Sequence, residues 1–147
     1  DTAPTSSVFT VGTGSVVNRN SSTYVYYLFS EKQGYSKFGS YKGNGNADGT
    51  FVYTGFKPAF VIIKDTAARD WIMLDNKRNP FNVADNRLFP NSTDAQNTGV
   101  DALDFTAQGF KIRSTNSTVN VSGNTYIYIA FAEQPFVTST GIPATAR

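Results

Sequence analysis

One passage occurs twice in this chain, and that constrains the fold more than any other feature. Residues 13–31 read TGSVVNRNSSTYVYYLFSE and residues 115–133 read TNSTVNVSGNTYIYIAFAE, at an offset of 102 with no gap. Nine of the nineteen pairs are identical, among them Asn18/Asn120, Tyr24/Tyr126, Tyr26/Tyr128, Phe29/Phe131 and Glu31/Glu133. Each copy is an Asn/Ser/Thr turn leading into one aromatic segment. Self-similarity at a fixed period is the signature of modular architecture. Both segments are apolar on both faces. With side chains alternating at period two, Tyr24, Tyr26 and Leu28 lie on one side, and Val25, Tyr27 and Phe29 on the other. Such strands sit centrally in a sheet, or a neighbouring subunit covers one face.

The rest of the chain reads as short β-branched and aromatic runs bounded by Gly and Asn, which is the strand pattern. Strands are expected at 7–12, 23–31, 35–42, 50–54, 58–64, 70–75, 100–105, 109–114, 117–121 and 124–133, with Lys37, Ser40 and Lys42 marking 35–42 as an edge. Turn signals roughly every ten residues predict an all-β, two-layer β-sandwich of the jelly-roll type. Residues 23–31 and 124–133 are expected to be equivalent central strands. The stretch 76–99 has no periodicity and reads as a long loop pinned by Phe81, Leu88 and Phe89.

Composition narrows the chemistry. Charged residues are 16% of the 147 and the net charge is +2, with no basic block, so no nucleic-acid partner is expected. The longest apolar run, 59–63, is far short of the ~20 residues a membrane helix needs. Cys and His are absent, which removes disulfides, thiolate or imidazole metal sites and His-dependent nucleophilic catalysis. The chain begins at Asp1 rather than Met and is expected to be part of something longer or processed.

Three constellations are candidate sites. Asn44, Asn46 and Asp48 partly match the start of a calcium loop, but Gly55 falls where the closing Glu would be, so a Gly/Asn turn is the first reading. The acids show no E-x-D or E-x-x-E pair of the kind a strand-borne glycanase carries, and no enzyme is expected. A glycan platform needs an exposed aromatic beside hydrogen-bonding groups. Trp71 beside Asp70 and near Asp75, with Tyr35 and Tyr41 flanking the Gly-rich loop, is the candidate, although WIML reads first as core. No cofactor is expected.

A set of ordered strings adds a resemblance: GYSKFGSY (34–41), GNGNADG (43–49), TGFKPAFVIIK (54–64), Trp71, Asp75, KRNP (77–80), GFK (109–111) and TYIY (125–128). Together they resemble an uncharacterised domain that recurs, often in tandem, in tail-fibre and virion structural proteins of tailed phages. The resemblance covers 34–135 as one full module. It implies a concanavalin-A-like or jelly-roll sandwich and a virion structural or attachment role, and it brings no catalytic residues.

The expected organisation is a single unit over 1–137, with 1–33 resembling the end of a preceding module and 34–137 one full module, followed by an extended tail, 138–147. The expected function is a non-enzymatic virion component, either a tail-fibre module or a decoration protein. It would be homo-oligomeric, extracellular, in contact with other virion proteins and able to touch host-surface polysaccharide. The alternatives are a carbohydrate-binding module of a secreted bacterial protein and a subunit of an extracellular filament.

Overall fold

The computed structural model describes residues 2–135. Seven strands and one short helix follow in order: β1 (Ser36–Lys42), β2 (Phe51–Tyr53), β3 (Pro58–Asp65), β4 (Trp71–Asp75), β5 (Leu103–Thr106), β6 (Gly109–Ile112), α1 (Ser117–Asn120) and β7 (Thr125–Ala132). They form a four-stranded sheet, β1-β7-β3-β4, and a three-stranded sheet, β2-β6-β5, with every pairing antiparallel. The protein is nearly all β, as the strand pattern implied, and β1 is an edge strand as its lysines and serine suggested.

Alternation decides which side chains enter the interior. Val61 and Ile63 of β3, Ile72 and Leu74 of β4, and Tyr126, Tyr128 and Ala130 of β7 are buried on one side of the larger sheet. They meet Val52, Leu103, Phe105, Phe110 and Ile112 from the smaller sheet. Phe110 joins the layers edge-on, its ring centroid 6.1 Å from that of Tyr41 and 5.4 Å from that of Tyr128. Such geometry adds specificity to area burial. The two chain crossings nearest the core need small residues. A side chain at Gly109 would place its Cβ 2.0 Å from the Val52 carbonyl oxygen, and one at Gly43 would place it 2.2 Å from that of Val121.

Three expectations are corrected. Residues 117–121 are not a strand: Ser117–Asn120 is a helical turn, because Asn116 Oδ1 accepts from Thr118 N at 2.9 Å, a side-chain cap that starts a helix. Residues 7–12 and 23–31 form no strand either. The place equivalent to 124–133, between β1 and β3, is already filled by β7, so among the described residues 23–31 finds no ladder partner and is exposed. The two copies therefore occupy different environments. In the 76–99 loop, Leu88 bridges to Met73 and Phe89 packs against the core, but Phe81 is 82% exposed and anchors nothing. The work assigned to Phe81 falls to Arg87, whose buried guanidinium donates to Asn97 Oδ1 at 2.9 Å and Thr118 Oγ1 at 3.2 Å. Residues 138–147 lie outside the described residues.

Candidate functional site

Although the two copies differ in environment, the turn that opens each is built alike. In the second copy Val119 N and Asn120 N donate to Asn116 O, at 3.1 and 2.9 Å; in the first, Val17 N and Asn18 N donate to Gly14 O at 3.1 and 2.9 Å. Asn120 Nδ2 donates to Ser114 O, as Asn18 Nδ2 does to Gly12 O. Asn124 N donates to Val121 O, as Ser22 N does to Arg19 O. Tyr126 Oη accepts from Val121 N and donates to Ser117 O, both at 2.8 Å. Tyr24 Oη accepts from Arg19 N at 2.8 Å and donates to Ser15 O at 3.1 Å. Every one of these six pairs is related by the offset of 102.

Past the turn the copies part. Thr125–Ala132 is laddered on both sides, with Tyr128 opposite Gly39 and Ile63, and Ala130 opposite Lys37 and Val61. In 23–31 no backbone N–H has a backbone partner among the described residues. Val25 is 80% exposed, Tyr27 81% and Leu28 66%. Only the end of this segment touches the sheet. Phe29 lies against Phe131 and Phe38, with centroids 5.6 and 6.4 Å away, and Ser36 Oγ donates to Ser30 O at 2.9 Å. A single bridge, Lys32 to Ser36, then turns the chain into β1.

Phe29 rests on an apolar surface that the register lays out in rows across the larger sheet. One row is Ser36, Phe131, Phe60, Asp75; the next is Phe38, Ile129, Ile62, Met73; the third is Ser40, Ile127, Lys64, Trp71. Eight of these twelve are apolar, and all eight are half-buried or exposed rather than enclosed. Phe131 is the hub, within 6.2 Å of the Phe38 and Phe60 rings and 6.0 Å of Tyr35. A cleft of about 350 Å³ opens where the segment joins the sheet, between Leu28, Phe29, Lys32, Tyr35 and Phe131. On the other side of the same turn a cleft of about 600 Å³ runs from Glu31 and Lys37 to Tyr53 and Phe56. Glu31 and Lys37 are paired at 2.6 Å across its mouth, and that hydrogen bond draws the carboxyl below its usual range and the ammonium above its own.

The glycan candidates do not converge. Trp71 is half-buried on the outer face of β4 rather than in the core, with its backbone N–H donating to Asn91 Oδ1 at 2.9 Å. Asn91 Nδ2 in turn reaches Asp70 Oδ1 at 2.9 Å, so Asn91 ties the Trp71 backbone to the Asp70 carboxylate. Asp75 is turned to Arg78, from whose Nε it accepts at 2.6 Å. Burial pushes the Asp75 carboxyl up, but the Arg78 and Lys77 N–H groups and the Arg78 guanidinium outweigh that and hold it low. Tyr35 stands at the opposite edge, by Phe131. Tyr41 is enclosed, stacked on Tyr126 at 5.1 Å and donating to Val119 O at 2.8 Å; burial raises its hydroxyl pKa well above the ordinary value, and its ring offers nothing to a ligand.

The loop of Asn44, Asn46 and Asp48 is held by protein groups. Asn44 Oδ1 accepts from Asn46 N at 2.9 Å and Asn120 Nδ2 at 3.1 Å, and Asp48 faces Lys111 at 2.8 Å, which draws its carboxyl down. No group of three or more acidic side chains that could hold a metal occurs among the described residues. The features that sequence reasoning missed are the Phe29–Phe38–Phe60–Phe131 cluster and the rows around it. The signal was present in part, in Phe60 and Ile62 of 58–65 and in Ile127, Ile129 and Phe131 of 125–132, with only Phe38 from 36–42, and it appears only once the register is known.

Residues 1–135 match the family described as a domain of unknown function, DUF7483. The chain belongs to that family. The match takes in the first copy of the repeat as well as the whole two-sheet unit. No curated protein and no solved structure is matched by the chain.

Proposed function

We propose that this DUF7483 chain is a non-enzymatic structural and attachment module of a phage virion, a tail-fibre module or a particle decoration protein. Its sandwich would be of the concanavalin-A-like or jelly-roll type. The observation that carries the reading is the duplicated turn. A module-closing turn that recurs 102 residues apart, with the same six hydrogen bonds, belongs to a chain in which modules follow one another in line. In this reading 1–33 is the end of a preceding module and 34–137 one full module. The ordered strings from Gly34 to Tyr128, which resemble the virion domain, point the same way.

The surface chemistry supports assembly over catalysis. Aromatic and aliphatic groups are exposed along 23–31 and half-buried on one sheet face, while six of the acids, Glu31, Asp48, Asp65, Asp75, Asp104 and Glu133, are paired with Lys or Arg. Contiguous exposed apolar area marks interaction surfaces. Homo-oligomers and contacts with other virion proteins are the partners this implies, and the setting is extracellular. Immuno-electron microscopy of particles carrying the chain tests the role: label along a fibre or over the shell is expected, and label absent from intact particles would sink it.

A carbohydrate-binding module is the second reading, favoured by Asn91 linking the Trp71 backbone to the exposed Asp70 carboxylate beside the half-buried Trp71 ring. A glycan array with the protein and Trp71→Ala separates the two. Binding that disappears with the ring would favour the module, and no binding would leave the structural role.

A further inference from the structure

The segment 12–31 is already folded as a closing turn but has no sheet to close. Its turn shares six hydrogen bonds with that of 114–133, without the Asn116 side-chain cap because Gly14 stands there, and its strand then runs free with apolar groups on both sides. We infer that this strand is a donor. It seats between two antiparallel strands, equivalent to β1 and β3, of a module of this same family that stands N-terminal to it in one polypeptide, and Leu28 selects that groove against the chain's own. The inference rests on the modular reading above and is independent of the virion one.

The position of each side chain in the groove follows from the offset. Tyr24 and Tyr26 would take the places of Tyr126 and Tyr128, facing the core, and Phe29 that of Phe131 on the outer face. Leu28 would take the place of Ala130. In this module Ala130 is fully enclosed between Lys37 and Val61. Three further carbons cannot enter a packed interior there without displacing neighbours. The groove that accepts 23–31 must have a smaller residue opposite Leu28. The same mismatch keeps the strand from replacing β7 in its own sheet or in that of a second copy, despite the nine identities.

Two further observations bear on the partner. The free edge of β1 is adjacent, yet pairing between the segment and β1 stops at the single Lys32–Ser36 bridge. Asn120 is gripped by a loop of its module, accepting from Asn44 N at 2.8 Å and donating to Asn46 O at 2.7 Å, whereas among the described residues Asn18 bonds only within its own turn. Asn18 therefore offers one free amide oxygen to the matching loop of the module it closes.

Hydrogen exchange on two forms of the protein tests this. The full chain is compared with an extended chain in which a copy of residues 32–113 is placed directly before Gly12, supplying a groove; the extended chain is made with Leu28 and with Leu28→Ala. Circular dichroism and the exchange of β3 and β7 report whether each form is folded. The amides of 24–30 are expected to exchange freely in the full chain. In the extended Leu28→Ala chain they are expected to slow by about 100-fold or more, and by less with Leu28 retained. Slow exchange of 24–30 in the full chain, with or without dimerisation, would overturn the inference in favour of β1 pairing or a second copy. Free exchange in a folded extended Leu28→Ala chain would overturn it outright. Equal protection in the extended chain with Leu28 and in its Leu28→Ala variant would remove Leu28 as the selecting residue.

Discussion

Phe29 and Phe131 hold equivalent positions in the two copies of the repeat, and their rings touch edge to face with centroids 5.6 Å apart. The contact joins a free strand to a laddered one, and the two partners are not equal in it. Phe131 meets Phe29, Tyr35, Phe38 and Phe60, and lies between β1 and β3 in the register. Phe29 is 60% exposed and has no backbone partner among the described residues. Phe131→Ala is therefore expected to cost about 2–3 kcal/mol in urea unfolding, below the full core value because the ring is half-buried. Phe29→Ala should stay within about 0.5 kcal/mol of the parent. Equal losses would mean that 23–31 is part of the folded sheet.

The same asymmetry explains what could be read in advance. Alternation and β-branched content placed β3, β4, β6 and β7 to within a few residues, because those strands are specified by their own buried faces. The segment 23–31 has a stronger strand pattern than β2 or β5 and yet forms no ladder. Among the described residues it has no ladder partner, and local sequence has no means of saying which sheet a strand joins. Ser117–Asn120 failed for a different reason. Val119 and Val121 suggest alternation, but the cap at Asn116 prevails over two β-branched residues. Trp71 was weighed as core since its neighbours Ile72 and Leu74 are; the pleat turns Trp71 and Met73 the other way. The apolar rows on the outer face were invisible because they join residues from four strands.

Asn120 and Asn18 make a second contrast. Asn120 is fully buried. Its Oδ1 accepts from Asn44 N at 2.8 Å, and its Nδ2 reaches Ser114 O and Asn46 O, both at 2.7 Å, and Asn44 Oδ1 at 3.1 Å. Asn120→Ala leaves several enclosed backbone groups without partners and is expected to cost about 2–4 kcal/mol. Asn18→Ala removes one exposed bond, to Gly12 O, and should change stability by less than about 0.5 kcal/mol. Chemical denaturation of the two variants side by side checks this. A large loss at Asn18 would show that the first turn is already docked.

Calcium should do nothing to the 43–49 loop. Asn44 Oδ1 is engaged by two donors and the Asp48 carboxylate faces Lys111 at 2.8 Å and Arg113 at 3.6 Å. An ion would have to displace those groups and would meet two cations. Thermal unfolding in millimolar calcium and in chelator is expected to give the same Tm. A rise of several degrees with calcium, lost in Asp48→Asn, would restore the metal reading, since a ligand that binds only the folded state raises its apparent stability.

Asp65 sets the acid limit of the fold. Its carboxylate is enclosed at the end of β3, where burial pushes the pKa up, but donation from Ala67 N at 2.8 Å and Asn124 Nδ2 at 3.1 Å, together with the Arg69 guanidinium, outweighs that and leaves it below the ordinary 3.8. A carboxyl whose folded pKa is depressed binds its proton more readily when unfolded. Its contribution is therefore complete above the unfolded value and is lost as the pH falls below about 4 through the folded value. Asp75 and Glu133 are depressed in the same direction and add to the slope, so the Asp65 share must be taken as a difference. Asp65→Asn keeps the volume but loses the charge opposite Arg69, and at pH 7 it is expected to cost about 2–3 kcal/mol. Unfolding followed from pH 7 to pH 2 should show the gap between parent and variant constant down to about pH 4 and narrowing below it. A gap that stays constant to pH 2 would mean that Asp65 is held by packing rather than by its charge, and a gap that closes above pH 5 would place its pKa on the wrong side of the ordinary value.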